Sequence, residues 1–137
     1  MRFLLFLPLL ALQLVAGGLG WQSDYQSARA KAAAEGKKIF VFISTPECTW
    51  CKKLEATTLS DPGIVKRLDA EYASVHVTRD VDTYPENLKA VVVPMCYFLT
   101  NEGNVIDYAR GYWETTDFNL ILNDVEKRMK KMTKEHQ

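Results

Sequence analysis

The chain has 137 residues, a length that favours one domain with a core of ordinary size. Hydrophobic residues make up 47% and charged residues 25%, the balance of a globular protein rather than a disordered one. Seventeen basic residues cancel seventeen acidic ones, which leaves no electrostatic case for nucleic acid or an anionic surface as a partner.

The first element is "MRFLLFLPLLALQLVAGGLGW". One basic residue, Arg2, precedes an apolar run from Phe3 to about Val15, and small residues follow. A secretory signal over residues 1–20 needs that order, with Ala16 and Gly18, or Gly18 and Gly20, at the −3 and −1 positions. The alternative is an uncleaved membrane anchor, since the run approaches the ~20 residues that span a bilayer. Pro8, Gln13 and three glycines weigh against it. The expected mature domain is 21–137, carrying about one net negative charge once Arg2 is removed.

"SDYQSARAKAAAEGKK" reads as a helix capped by Ser23 or Asp24, with Tyr25, Ala28 and Ala32 on one face and Gly36 at its end. "KIFVFIST" is a continuous β-branched and aromatic run, the mark of a strand buried on both faces. Helical composition resumes at Cys51 through "CKKLEATTL" and breaks at "SDPG", where Ser60 or Asp61 caps a new helix with Pro62 in its first turn. "IVKRLDAEY" continues that helix, and "ASVHVTRDV" alternates as a strand. "MCYFLTNEGNVIDYARG" predicts a hairpin turning through residues 101–104. Phe118, Ile121, Leu122, Val125, Met129 and Met132 then recur at helical spacing. The cations at that helix's end, among them Lys127, Arg128 and Lys130, complement the dipole as a solvated face rather than a binding patch. Strands separated by helices imply a parallel pair, to which the hairpin adds antiparallel strands at one side. The fold class is therefore α/β, with a central mixed sheet flanked by helices.

Cys48 and Cys51 fall where the first long strand ends and its helix begins. Their spacing suits a metal clamp or a redox disulfide. As a structural staple it closes too small a loop to restrict the unfolded chain much. Three cysteines in the whole chain also do not make a disulfide scaffold. A helix N-terminus presents unpaired N–H groups and about half a positive charge, so a thiol there ionises more easily. Cys48 would lie at the first turn with its sulfur outward. Cys51 would be shielded one turn further in, near enough to attack a mixed disulfide on Cys48.

"CTWC" after a buried strand, and "VVVP" about forty residues later before a hairpin, resemble the thioredoxin superfamily over roughly residues 23–132. "CTWCKKLEATTLSDPGIVKRL" is closer still to small exported thioredoxin-like proteins, and is similar to the periplasmic C-terminal domain of the transmembrane thiol–disulfide transporter. The resemblance implies a thioredoxin-like fold and a periplasmic thiol–disulfide oxidoreductase, with Cys48 as nucleophile and Cys51 as resolver. It implies a cis-proline at Pro94 opposite the pair, and substrate contacts at Thr49, Trp50, Val93 and Pro94. It implies no cofactor, disulfide-containing protein substrates and a monomer. A reductase is favoured, because the chain lacks the dimerisation domain of the isomerases and the large helical insert of the oxidant. Electrons would come from the membrane transporter.

The departures are local. Glu47 stands where thioredoxin carries a tryptophan, and Phe42 stands where it keeps a buried acid. Glu55 or Glu47, or water, must then take the proton of Cys51. Cys96 reads as a small buried strand residue rather than a third redox or metal sulfur. His76 reads as structural and His136 as part of the tail, while Tyr112 and Trp113 read as packing residues rather than groove borders. The alternative function is delivery or binding of a soft ion such as Cu(I) by the cysteine pair. That chemistry needs an added ligand, and Met95 is the one candidate. No metal site is predicted, since no second CxxC or spaced His pair completes zinc coordination.

Overall fold

The computed structural model describes residues 18–137, so the predicted signal segment, and the membrane anchor as its alternative, lie almost wholly outside the described residues. The elements are β1 (Trp21–Gln22), α1 (Tyr25–Glu35), β2 (Lys38–Ser44), α2 (Thr49–Ala56), a 3-10 turn (Thr58–Ser60), α3 (Pro62–Glu71), β3 (Tyr72–Thr78), β4 (Met95–Leu99), β5 (Val105–Arg110) and α4 (Thr115–Glu135). Among the described residues no helix is long and apolar enough to cross a membrane.

One mixed sheet runs in the order β1-β3-β2-β4-β5. Strand β2 is central, parallel to β3 and antiparallel to β4, and β5 closes the hairpin at one edge. From Ile39 to Ser44 every residue of β2 is buried, as a strand covered on both faces must be. Its alternate side chains supply two cores. Phe40 and Phe42 join Leu54, Ile64, Leu68 and Phe118 beneath α2, α3 and α4. Ile39, Val41 and Ile43 join Tyr25, Ala28 and Ala32 beneath α1. Rings dominate the first core: Phe40 lies 5.5 Å from Phe98 and 6.2 Å from Phe118, centroid to centroid. Removing any of these buried rings costs about 3–5 kcal/mol.

Local chemistry sets the boundaries. The Asp24 carboxylate accepts from Ser27 N–H at 2.7 Å and starts α1. Gly36 ends it at a left-handed φ of 64°, which glycine adopts without a steric penalty. Asp61 caps α3 by accepting from Gly63 N–H and Ile64 N–H, with Pro62 at the first helical position.

Three features depart from the sequence reading. Strand β1 is too short to leave a periodic signal; Trp21 pairs alongside Ser74 and places its ring 6.1 Å from Phe40. Helix α2 begins at Thr49 rather than Cys51 and stops at Ala56, because the Thr57 and Thr58 hydroxyls bond Lys53 C=O and Trp113 C=O. Between Thr78 and Met95 the chain forms neither helix nor strand. That segment is held by side chains instead: the Arg79 guanidinium donates to Ala90 C=O at 2.8 Å and to Val91 C=O at 3.3 Å, while Leu88 and Ala90 are buried.

Candidate active site

Strand β2 delivers the chain to Thr45, and a tight turn, with Cys48 N–H donating to Thr45 C=O at 3.2 Å, leads into α2. Cys48 is the N-cap of that helix. Its sulfur accepts from Cys51 N–H at 3.1 Å, and its carbonyl accepts the first helical bond from Lys52 N–H. Cys48 and Cys51 form a disulfide across a Cα separation of 5.2 Å. Cys48 is half-buried, whereas Cys51 is 2% exposed, packed with Phe42 and Leu54 in the first core. Cys48 is thus the more open residue of the pair and Cys51 the more sheltered.

Trp50, which precedes Cys51 in the chain, lines a groove of about 300 Å³ together with Val93, Pro94, Gly111 and Tyr112. The Val93–Pro94 peptide bond is cis. Pro94 C=O accepts from Gly111 N–H at 2.8 Å, which ties the start of β4 to the end of the hairpin. Gly111 has a left-handed φ of 81°, and this turn brings Tyr112 back toward α2. Among the described residues the Val93 N–H and C=O have no backbone partner. Trp50 is 55% exposed and meets Tyr112 at a centroid separation of 5.5 Å. The Lys53 ammonium sits 5.0 Å from the Trp50 ring and 4.9 Å from the Tyr112 ring, holding both from the helix side. Thr49 is exposed at the first position of α2.

Tyr112 therefore borders the groove rather than only packing, a correction to the sequence reading. Local pattern does not reveal it, because the contact depends on Gly111 reversing the chain. Trp113 is a packing residue: its indole N–H donates to Arg110 C=O and its own carbonyl accepts from Thr58 Oγ1.

Glu47 and Glu55 are exposed, and neither carboxylate bonds a sulfur. Phe42 stacks on His76 of β3 at 4.4 Å. His76 Nε2 is 2.6 Å from Ser44 Oγ, and burial holds its imidazole below the usual range, with the carboxylates of Glu55 and Asp82 opposing. Cys96 is buried in the same core as Cys51, and burial pushes its thiol far up. Met95 is packed with Val41 and Ile43 in the second core, across the sheet from Cys51. It therefore does not supply a soft ligand beside the pair. Among the described residues no three His, Cys, Asp or Glu side chains gather as a metal cluster.

An uncharacterised protein of Archaeoglobus fulgidus is 29% identical over 116 residues, covering 79% of this chain and 88% of the relative. Among solved structures, a DsbH oxidoreductase superposes with a TM-score of 0.67 at 18% identity, over 83% of this chain and 89% of the other. The oxidised C-terminal domain of Neisseria meningitidis DsbD superposes with a TM-score of 0.54 at 17% identity, over 68% and 84%. These two likenesses are likenesses of fold. The Thioredoxin-like domain family matches residues 25–126, spanning the strand–helix junction, the cysteine pair and Pro94, and the chain belongs to it, a thioredoxin-fold oxidoreductase with a Cys48–Cys51 pair.

Proposed function

We propose that the protein is an exported reductase of protein disulfides, with Cys48 as nucleophile and Cys51 as resolving thiol. One observation carries the reading. The half-buried Cys48 sulfur caps α2 and is bonded to the sheltered Cys51 sulfur, beside a groove walled by Trp50, Val93 and Pro94.

In the reduced protein the Cys51 N–H that donates to Cys48 Sγ favours a thiolate there, as does the positive end of the α2 dipole. That thiolate attacks one sulfur of a substrate disulfide, and the other sulfur leaves as a thiolate. Cys51 loses its proton to water or to Glu55 and attacks the Cys48 sulfur. The second substrate sulfur leaves, and the Cys48–Cys51 disulfide closes. Two electrons pass to the substrate, and a dithiol donor returns them. The donor in this reading is a membrane thiol–disulfide transporter, supported by the resemblance of this chain to such a transporter's exported C-terminal domain. Glu47, next to the nucleophile, is the other carboxylate that could take the Cys51 proton, and its charge opposes a thiolate on Cys48.

The free Val93 N–H and C=O suit pairing with an extended substrate backbone, with Thr49 and Trp50 on the opposite wall. The protein acts as a monomer in the periplasm after loss of its N-terminal segment. Of the two cleavage positions, the one after Gly18 is preferred. Leu19 is buried in the first core and Gly20 N–H donates to Asp69 Oδ1 at 3.0 Å, so cleavage after Gly20 would remove folded contacts.

The test is reduction of insulin by dithiothreitol. The mature protein accelerates it, Cys48→Ser abolishes the acceleration, and Cys51→Ser accumulates mixed disulfides. Retained turnover in Cys48→Ser overturns the assignment.

A further inference from the structure

Resting on that reading, we propose that the substrate surface continues past Val93 into a second groove that selects an acidic side chain near the reacting cysteine. Val91–Val93 form a ridge, with Val91 86% exposed. On one side Val93 borders the Trp50–Tyr112 groove; Val91 and Val92 border another, of about 220 Å³. Its floor is apolar and aromatic, from Met95, Tyr97 and Tyr108, and its rim carries Lys89 and Arg110.

The charge here is one-sided. The groove has two cations and no carboxylate in its lining, although the whole chain is neutral. Among the described residues neither Lys89 nor Arg110 makes an ion pair; Asp107, three residues before Arg110, is taken by Arg128 at 3.2 Å. Both cations stand on anchored backbone. Tyr97 OH donates to Lys89 C=O, and Arg110 C=O accepts from the Trp113 indole. Arg110 also stands opposite Met95 in the β4–β5 register, beside the residue that opens the strand. The positive rim is therefore built in and unfilled by the protein itself.

A segment paired with Val93 in extended form advances about 3.3 Å per residue and alternates its side chains. Met95, Tyr97 and Tyr108 face away from Cys51 across the sheet. A segment with its cysteine at Cys48 therefore reaches the second groove only by following the backbone from Val93 to Val91 over the strand end, and would place a side chain there about two to four residues on. An apolar contact on the tyrosines ending in a carboxylate between Lys89 and Arg110 satisfies both the floor and the rim. The occupant is thus a protein segment with an aspartate or glutamate at that distance from its disulfide.

Two peptides of one sequence test this, each holding a single cysteine as its glutathione mixed disulfide and differing only in Glu or Lys at those positions. Dithiothreitol supplies the electrons, and kcat/KM is measured for each. The wild-type protein should prefer the Glu peptide about fivefold at low salt, the factor two exposed ion pairs give, and lose the preference in high salt. The double variant Lys89→Glu, Arg110→Glu should invert the preference while reducing hydroxyethyl disulfide, a small uncharged substrate, at the wild-type rate. Equal kcat/KM for the two peptides in the wild type, or an unchanged preference in the double variant, overturns the acidic selection alone. A wild-type protein that reduces neither peptide nor hydroxyethyl disulfide overturns the redox reading and this surface with it.

Discussion

His76 lies flat against Phe42, the ring centroids 4.4 Å apart and the planes 21° from parallel. The two residues are register partners on β3 and β2, so the sheet itself imposes the stack. Its consequence is a half-buried imidazole held against the central strand. Burial favours the neutral ring, so its folded pKa lies below the ordinary 6.5 while the unfolded chain keeps that value. Protonation therefore favours the unfolded chain. The stability this group contributes is full above about pH 6.5 and falls as pH drops from there through the folded value. Urea unfolding at pH 7.5 and pH 5 should show a loss for the wild type that is smaller in His76→Phe. An equal loss in both would place the pH dependence elsewhere.

Tyr112 reaches the groove through two contacts, the Trp50 ring and a hydroxyl 3.2 Å from Thr57 Oγ1. The ring contact is the one a substrate would feel. Tyr112→Ala should lower kcat/KM on insulin about three- to tenfold, the scale of one aromatic contact, and leave hydroxyethyl disulfide unaffected. Tyr112→Phe keeps the ring and should stay within about twofold of wild type. A matching loss in the two variants would assign the role to the hydroxyl.

Arg79 holds the carbonyls of Ala90 and Val91, just ahead of Val93, and is a positioning residue. Arg79→Met should raise KM for a protein substrate several-fold with kcat nearly unchanged, and should cost about 1–2 kcal/mol of stability. Arg79→Lys, which reaches one carbonyl at best, should fall between. A lower kcat at constant KM would mean that the segment it fixes does not bind substrate.

Cys96 has no opening to solvent. In the oxidised protein no thiol should react with Ellman's reagent until denaturant is added, when one should. Cys96→Ser should cost about 1–3 kcal/mol, because it buries a hydroxyl among apolar groups. It should leave the Cys48–Cys51 reduction potential unchanged. A shifted potential would make Cys96 part of the redox unit.

Much of this protein is decided within short stretches of chain. The run from Ile39 to Ile43 has no polar side to show to water, so β2 must be central, and the N-cap preference of Asp61 with Pro62 starts α3 wherever the rest folds. The same local logic put Cys48 and Cys51 at a strand-to-helix junction, since the spacing and the change of period lie within a dozen residues. Contacts between residues distant in sequence carry no such signal. Strand β1 exists because β3 offers an edge, not because Trp21–Gln22 favours a strand, and residues 79–94 keep their course through Arg79 rather than a repeating pattern. Tyr112 meets Trp50, and His76 meets Phe42, only after the sheet and the Gly111 turn have brought them together. Periodicity reports which face of an element is buried. What that face meets is set by packing, so the cysteine pair was legible in the sequence while the Trp50–Tyr112 groove, and the cationic rim beyond Val93, came only from the tertiary structure.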